Sequence, residues 1–153
     1  MSIAERLSNP AWRNTALVLL GMILLIVVLR VLEARRIRRK FPRENIVRVS
    51  FGAAYFGLDS EPGAVQRILG ALVLLKDGLY FRARVSGQEL HIAKAAILNI
   101  DVASTHKNRT LRQYVVAIRF RTPEGRGDTA AFRIPQPGTW IPALKATLTP
   151  GRE

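Results

Sequence analysis

Gly70-Ala71-Leu72-Val73-Leu74-Leu75-Lys76-Asp77-Gly78-Leu79-Tyr80-Phe81 is the stretch on which the fold turns. An apolar run over residues 69–75 meets Lys76-Asp77-Gly78 and restarts as Leu79-Tyr80-Phe81-Arg82-Ala83-Arg84. Asp-Gly between two β-type runs is a strong local hairpin signal. Strand alternation then puts Phe81, Ala83 and Val85 on one face and leaves Arg82 and Arg84 together on the other.

Similar runs lie on both sides of this hairpin. Ile46-Val47-Arg48-Val49-Ser50-Phe51 reads as the first strand, extendable to Phe56, and Ser60-Glu61-Pro62-Gly63 as the loop after it. Downstream, Val85-Ser86-Gly87-Gln88 turns into Glu89-Leu90-His91-Ile92, and residues 97–103 form a further strand. Tyr114-Val115-Val116-Ala117-Ile118-Arg119-Phe120-Arg121 alternates, residues 123–128 turn, and residues 129–134 complete seven strand candidates. After Pro135-Gln136-Pro137-Gly138 the period changes. Thr139 is a suitable helix cap, and Trp140, Leu144 and Leu148 recur every four residues, so one C-terminal helix should pack that face on the sheet.

Seven strands closed by one helix is the order of the pleckstrin-homology (PH) superfold. The hairpin above, followed by Leu90-His91-Ile92-Ala93-Lys94-Ala95-Ala96-Ile97, resembles the bacterial PH-like and GRAM-type pattern, in which a G-x-L-x-L hairpin leads to an I-P-x-x-x-I corner. Leu75 stands where that pattern commonly has Thr, and Ala93 where it commonly has Pro. The resemblance implies a mainly-β PH-like domain, about seven strands in a barrel-like sandwich with one C-terminal helix, over residues 44–149. An unrelated small barrel or sandwich with a helix is the alternative. Some domains of the family hold phosphoinositides with a Lys at a strand end and an Arg-x-Arg on the next strand. Lys76 with Arg82-Ala83-Arg84 has similar spacing, although the turn between them is tight and the family site uses the first hairpin rather than the second.

The rest of the chain is a different kind of segment. Residues 16–29 are all apolar or Gly, and the stretch 15–32 would rise about 27 Å as a helix, close to the roughly 30 Å of a hydrocarbon core. Leu, Val and Ile occupy every face, which disfavours an amphipathic surface helix. Trp12 and Arg30 suit interfacial positions at its two ends. A cleaved signal peptide would place its positive charge before the apolar run and small residues after it; here Arg30, Glu33, Arg35 and Arg36 follow. A core helix of a soluble domain would need covering on all sides by a domain too small to do so. The expected organisation is a tail over 1–14, a transmembrane helix over 15–32, a basic linker over 33–43 ended by Phe41-Pro42, the β-domain, and a tail over 150–153.

Charge gives the orientation. The 153 residues carry a net +13, with a pI near 11.5. Residues 30–43 hold seven basic groups, Arg30, Arg35, Arg36, Arg38, Arg39, Lys40 and Arg43, against the single acid Glu33. Only Arg6 and Arg13 precede the helix. By the positive-inside rule the β-domain faces the cytoplasm of a single-pass inner-membrane protein with its N-terminus outside. Arg35, Arg36, Arg38, Arg39 and Lys40 are then placed to meet anionic headgroups.

A second basic stretch, Thr105-His106-Lys107-Asn108-Arg109-Thr110-Leu111-Arg112-Gln113, reads as a loop, a common place for recognition, with Lys107, Arg109 and Arg112 as contacts for anionic lipid or an acidic partner. His91 and His106 lack neighbours in metal-ligand spacing. There is no Cys, no G-x-S-x-G, no P-loop and no H-E-x-x-H, so neither an enzyme, a metal nor a cofactor is expected. Arg126-Gly127-Asp128 reads as a hairpin turn rather than an adhesion motif. Tyr80, Phe81 and Phe120 among basic residues imitate a nucleic-acid stacking platform, but membrane anchoring and the lack of an aromatic RNA-binding signature disfavour it. Two functions remain: a membrane-anchored adaptor presenting its domain to a cytoplasmic or membrane protein, and a sensor of anionic lipid headgroups.

Overall fold

The computed structural model describes residues 9–149, so most of the expected N-terminal tail and all of the C-terminal tail lie outside the described residues. The chain divides into two compact units, 1–41 and 42–153.

Among its described residues the first unit is a helix, α1 (Pro10–Lys40). Asn9 caps it, its Oδ1 accepting from Ala11 N at 3.0 Å, and Pro10 sits at the first helical position, where a missing N–H costs nothing. The last turn holds Arg38, Arg39 and Lys40, which complement the negative end of the helix dipole. Phe41 is extended and ends the helix, as the following Pro42 requires. Every large apolar side chain in residues 17–29 is exposed. At about 1.5 Å per residue, the 31 residues of α1 measure roughly 46 Å.

The second unit opens with a 3-10 turn at Arg43–Asn45. There follow β1 (Ile46–Leu58), β2 (Ile68–Leu75), β3 (Gly78–Ala83), β4 (Glu89–Ala93), a 3-10 turn at Lys94–Ala96, β5 (Ile97–His106), β6 (Arg109–Arg121), β7 (Gly127–Arg133) and α2 (Pro137–Leu148). All pairs are antiparallel, in one sheet of order β4-β3-β2-β1-β7-β6-β5. The edges β4 and β5 are separated in the chain only by Lys94–Ala96, so the sheet must curl to bring both edges to one corner. β1 makes this possible. It pairs with β2 over Ile46 to Tyr55 and with β7 over Ala54 to Leu58, and its register slips three times along the way. Such irregularities bend a strand and increase its twist.

The opening hairpin forms with Leu75 opposite Gly78 and Lys76-Asp77 as its turn. Both glycines of the motif are needed for close backbone approach: a β-carbon on Gly70 would lie 2.1 Å from the Arg82 carbonyl oxygen, and one on Gly78 would lie 2.6 Å from that of Ile92. The interior of the curl is filled by Leu72, Leu74, Leu79, Ile118 and the rings of Tyr55, Phe81 and Phe132, whose centroids are 5.2 to 5.7 Å apart. Trp140, Leu144 and Leu148 of α2 are buried in this core, as their four-residue spacing demands.

Four expectations need correction. Residues 105–113 are not a loop: β5 and β6 continue to a two-residue turn, Lys107-Asn108, in which both φ angles are positive (50° and 57°), the geometry of a type I′ hairpin. β3 stops at Ala83, so Val85 does not share the inner face of Phe81 and Ala83 and is 98% exposed. The cap of α2 is Gln136, in the left-handed conformation, with Pro137 starting the helix; Thr139 lies inside the first turn. Asp128 belongs to β7 rather than to the preceding turn, and it is buried.

Candidate functional site

The basic residues picked out along the β2–β3 hairpin do not converge. Lys76 lies exposed in the turn at one end of β3, while Arg82 is six residues away at the other, roughly 20 Å along a strand. Arg82 faces Glu89 across the β3–β4 pair, and its guanidinium Nη1 donates to Glu89 Oε1 at 3.0 Å. The same oxygen accepts from the Tyr80 hydroxyl at 2.6 Å. Arg84, past the end of the strand, donates from its backbone N to Leu69 O and from its guanidinium to Phe51 O. These two arginines therefore brace the sheet from different positions. Glu89 escaped the sequence reading because register across a turn decides which charges meet.

The end of the β5–β6 hairpin is also anchored. Leu111 and Ala103 pack with Val65 of the β1–β2 loop against Ala54, Phe56, Val115 and Ala131, forming a second, smaller core. His106 is buried, with Nε2 2.9 Å from the Gly57 carbonyl oxygen. A β-carbon on Gly57, whose φ is +86°, would meet Glu61 Oε2 at 2.9 Å and Lys107 Nζ at 3.3 Å, so both charged groups are turned onto this glycine. Arg109 and Arg112 remain exposed.

Beside this hairpin lies a polar corner that sequence reading did not anticipate. The buried Asp128 carboxylate accepts from Ser60 N at 3.1 Å, from its hydroxyl, and from Thr129 N at 2.8 Å. These bonds hold the β1–β2 loop to β7 and leave Arg126-Gly127-Asp128 no free carboxylate to present. Burial pushes the Tyr55 hydroxyl above the usual phenol range, and the Glu61 and Asp128 carboxylates act in the same direction.

A groove of about 480 Å³ lies where the β4–β5 corner meets the β6–β7 turn. Ala93, Ala95, Ala96, Leu98, Phe120 and Pro123 give it a largely apolar lining, and His91, Arg121 and Thr122 contribute polar groups. The I-P-x-x-x-I-like corner, which the sequence marked as a feature of the fold and not as a groove, forms one side of it. Tyr80, Phe81 and Phe120 are buried and present no stacking surface. Among the described residues, no three His, Cys, Asp or Glu side chains gather as a metal site. In α1, Arg35, Arg36, Arg38, Arg39 and Lys40 are exposed along the last turns.

No protein-family profile matches the chain, and no curated protein resembles it in sequence. Solved structures do share its architecture. The N-terminal PH domain of Vps36 superposes with a TM-score of 0.51 at 12% identity, over 71% of this chain and 81% of that one. The β-domain has a PH-like fold. A chain of the 8S snRNP assembly intermediate gives a TM-score of 0.51 at 9% identity, over 71% of this chain and 82% of the other. At such identities the likeness concerns backbone architecture alone.

Proposed function

We propose that this chain is a membrane-anchored, non-enzymatic binding module that presents its PH-like domain to a protein partner at the cytoplasmic face of the inner membrane. Residues 15–32 cross the bilayer, the N-terminus lies outside, and residues 33–43 lead into the domain. The carrying observation is the exposure of every large apolar side chain in residues 17–29 beside a basic last turn. Apolar surface of that extent on all sides of a helix needs lipid around it, and the arginine-rich end belongs on the inner side. A tether also raises the effective concentration of the domain for a partner in the same membrane, so weak contacts suffice.

Protease added to intact cells should leave the domain whole and should digest it once the membrane is permeabilised. Digestion in intact cells would reverse the orientation. Crosslinking in native membranes, with recovery of one recurrent protein, identifies the partner; crosslinks to lipid alone would count against an adaptor.

The second reading, a sensor of anionic headgroups, is favoured by the exposure of Lys76, Arg109 and Arg112. Charge reversal at these three positions should then abolish co-sedimentation of residues 42–153 with phosphatidylglycerol vesicles. With Arg82 and Arg84 engaged in the sheet, the adaptor is the reading we prefer.

A further inference from the structure

The chain passes from α1 to the PH-like domain through very little backbone. Phe41 and Pro42 are extended, and Arg43–Asn45 makes a single 3-10 turn before β1. Asn45 is firmly held: its carbonyl accepts from Lys76 N at 2.9 Å, and its side-chain amide donates to Asp77 Oδ1 at 3.2 Å. The Asp77 carbonyl in turn accepts from Lys94 N at 2.7 Å. Three segments remote in sequence are thus fastened into one end of the domain. It exposes Arg43, Lys76 and Lys94, with Glu44 and Asp77 as its acids.

From these connections we infer that this tethered end is the face of the domain turned to the bilayer, where Arg43, Lys76 and Lys94 meet anionic phosphodiester headgroups. The inference rests on the membrane-anchor reading above. From Leu32 to Lys40 the helix climbs about 12 Å, against a headgroup layer of roughly 5 to 7 Å per leaflet. The four residues between Lys40 and Asn45 span at most about 18 Å, whatever angle the connector takes. At full stretch the tethered end lies about 25 Å beyond the headgroups, and any bend in the connector brings it nearer; within a Debye length of about 8 to 10 Å each basic group is worth about 1 kcal/mol. Ser86, in the turn after β3, and Gln66, in the loop after β1, lie at the opposite ends of strands that start there, and both are exposed.

The chain has no cysteine, so single-cysteine labelling is clean. Full-length Lys76→Cys, Lys94→Cys, Ser86→Cys and Gln66→Cys would each carry a fluorophore and be reconstituted into phosphatidylcholine–phosphatidylglycerol vesicles containing a headgroup-quencher lipid. Quenching should be several-fold stronger at positions 76 and 94 than at 86 and 66, and the contrast should shrink in phosphatidylcholine alone. Equal or reversed quenching in protein that resists carbonate extraction overturns this inference and leaves the anchor standing. Protein that carbonate extracts overturns both. A contrast unchanged in phosphatidylcholine alone overturns the ionic contact.

Discussion

Gly70 and Tyr55 show how much depends on single positions. The Arg82 carbonyl passes so close to Gly70 that Gly70→Ala forces the β2–β3 pair apart. We expect a loss of about 2 to 3 kcal/mol, the upper part of the overpacking range, read as a shifted denaturant midpoint of the full chain in detergent. Phe81→Ala, which removes one of the three mutually packed rings, should cost roughly 3 to 5 kcal/mol by the same measurement. Tyr55 supplies a pH dependence. Its neutral form is favoured in the fold, first by burial, so its folded pKa lies above the unfolded value of about 10. The stability this provides is complete below about pH 10 and is lost as pH rises past it, because the unfolded chain gives up its proton first. Alkaline titration of Tyr55→Phe should show a shallower decline than the parent. No local pattern could have announced both of this tyrosine's acidic neighbours: Asp128 reaches it only after β7 has docked on β1.

Among the elements, α2 and the β2–β3 hairpin were plain in the sequence for a common reason. Trp140, Leu144 and Leu148 repeat at the helical period, and Asp77-Gly78 interrupts two apolar runs, so each signal is local and strong. The end of the β5–β6 hairpin was not legible, because His106, Lys107, Arg109, Thr110 and Arg112 show no apolar alternation. What keeps those residues in strands is the burial of Leu111 and His106 against β1 and its loop, a tertiary fact. The one local clue was Asn108, whose type tolerates the left-handed conformation it adopts. Asn108→Val should therefore destabilise the domain by about 1 to 2 kcal/mol, the left-handed penalty for a branched residue, whereas Asn108→Gly should leave it at least as stable. Thermal melts of the two variants decide the matter.

At the scale of the whole molecule, the division into an apolar rod and a β-domain was readable from composition alone, since the two segments differ in both period and charge. A binding site was not, because the arginines that looked like a phosphate clamp are engaged with Glu89 and with the Phe51 carbonyl. Removing residues 1–40 should move the chain from the carbonate-resistant membrane fraction to the supernatant while its β-sheet circular dichroism persists.

The strand order has one last consequence, for assembly in time. Five of the six strand pairings join neighbours in the chain, and only β1 with β7 joins the two halves of the sheet, bringing Ala54 to Arg133 across some 80 residues. A ribosome adding about 5 to 20 residues per second exposes that half of β1 for several seconds before its mate is made. The nascent seam therefore waits, unpaired, until residues 127–133 have been made.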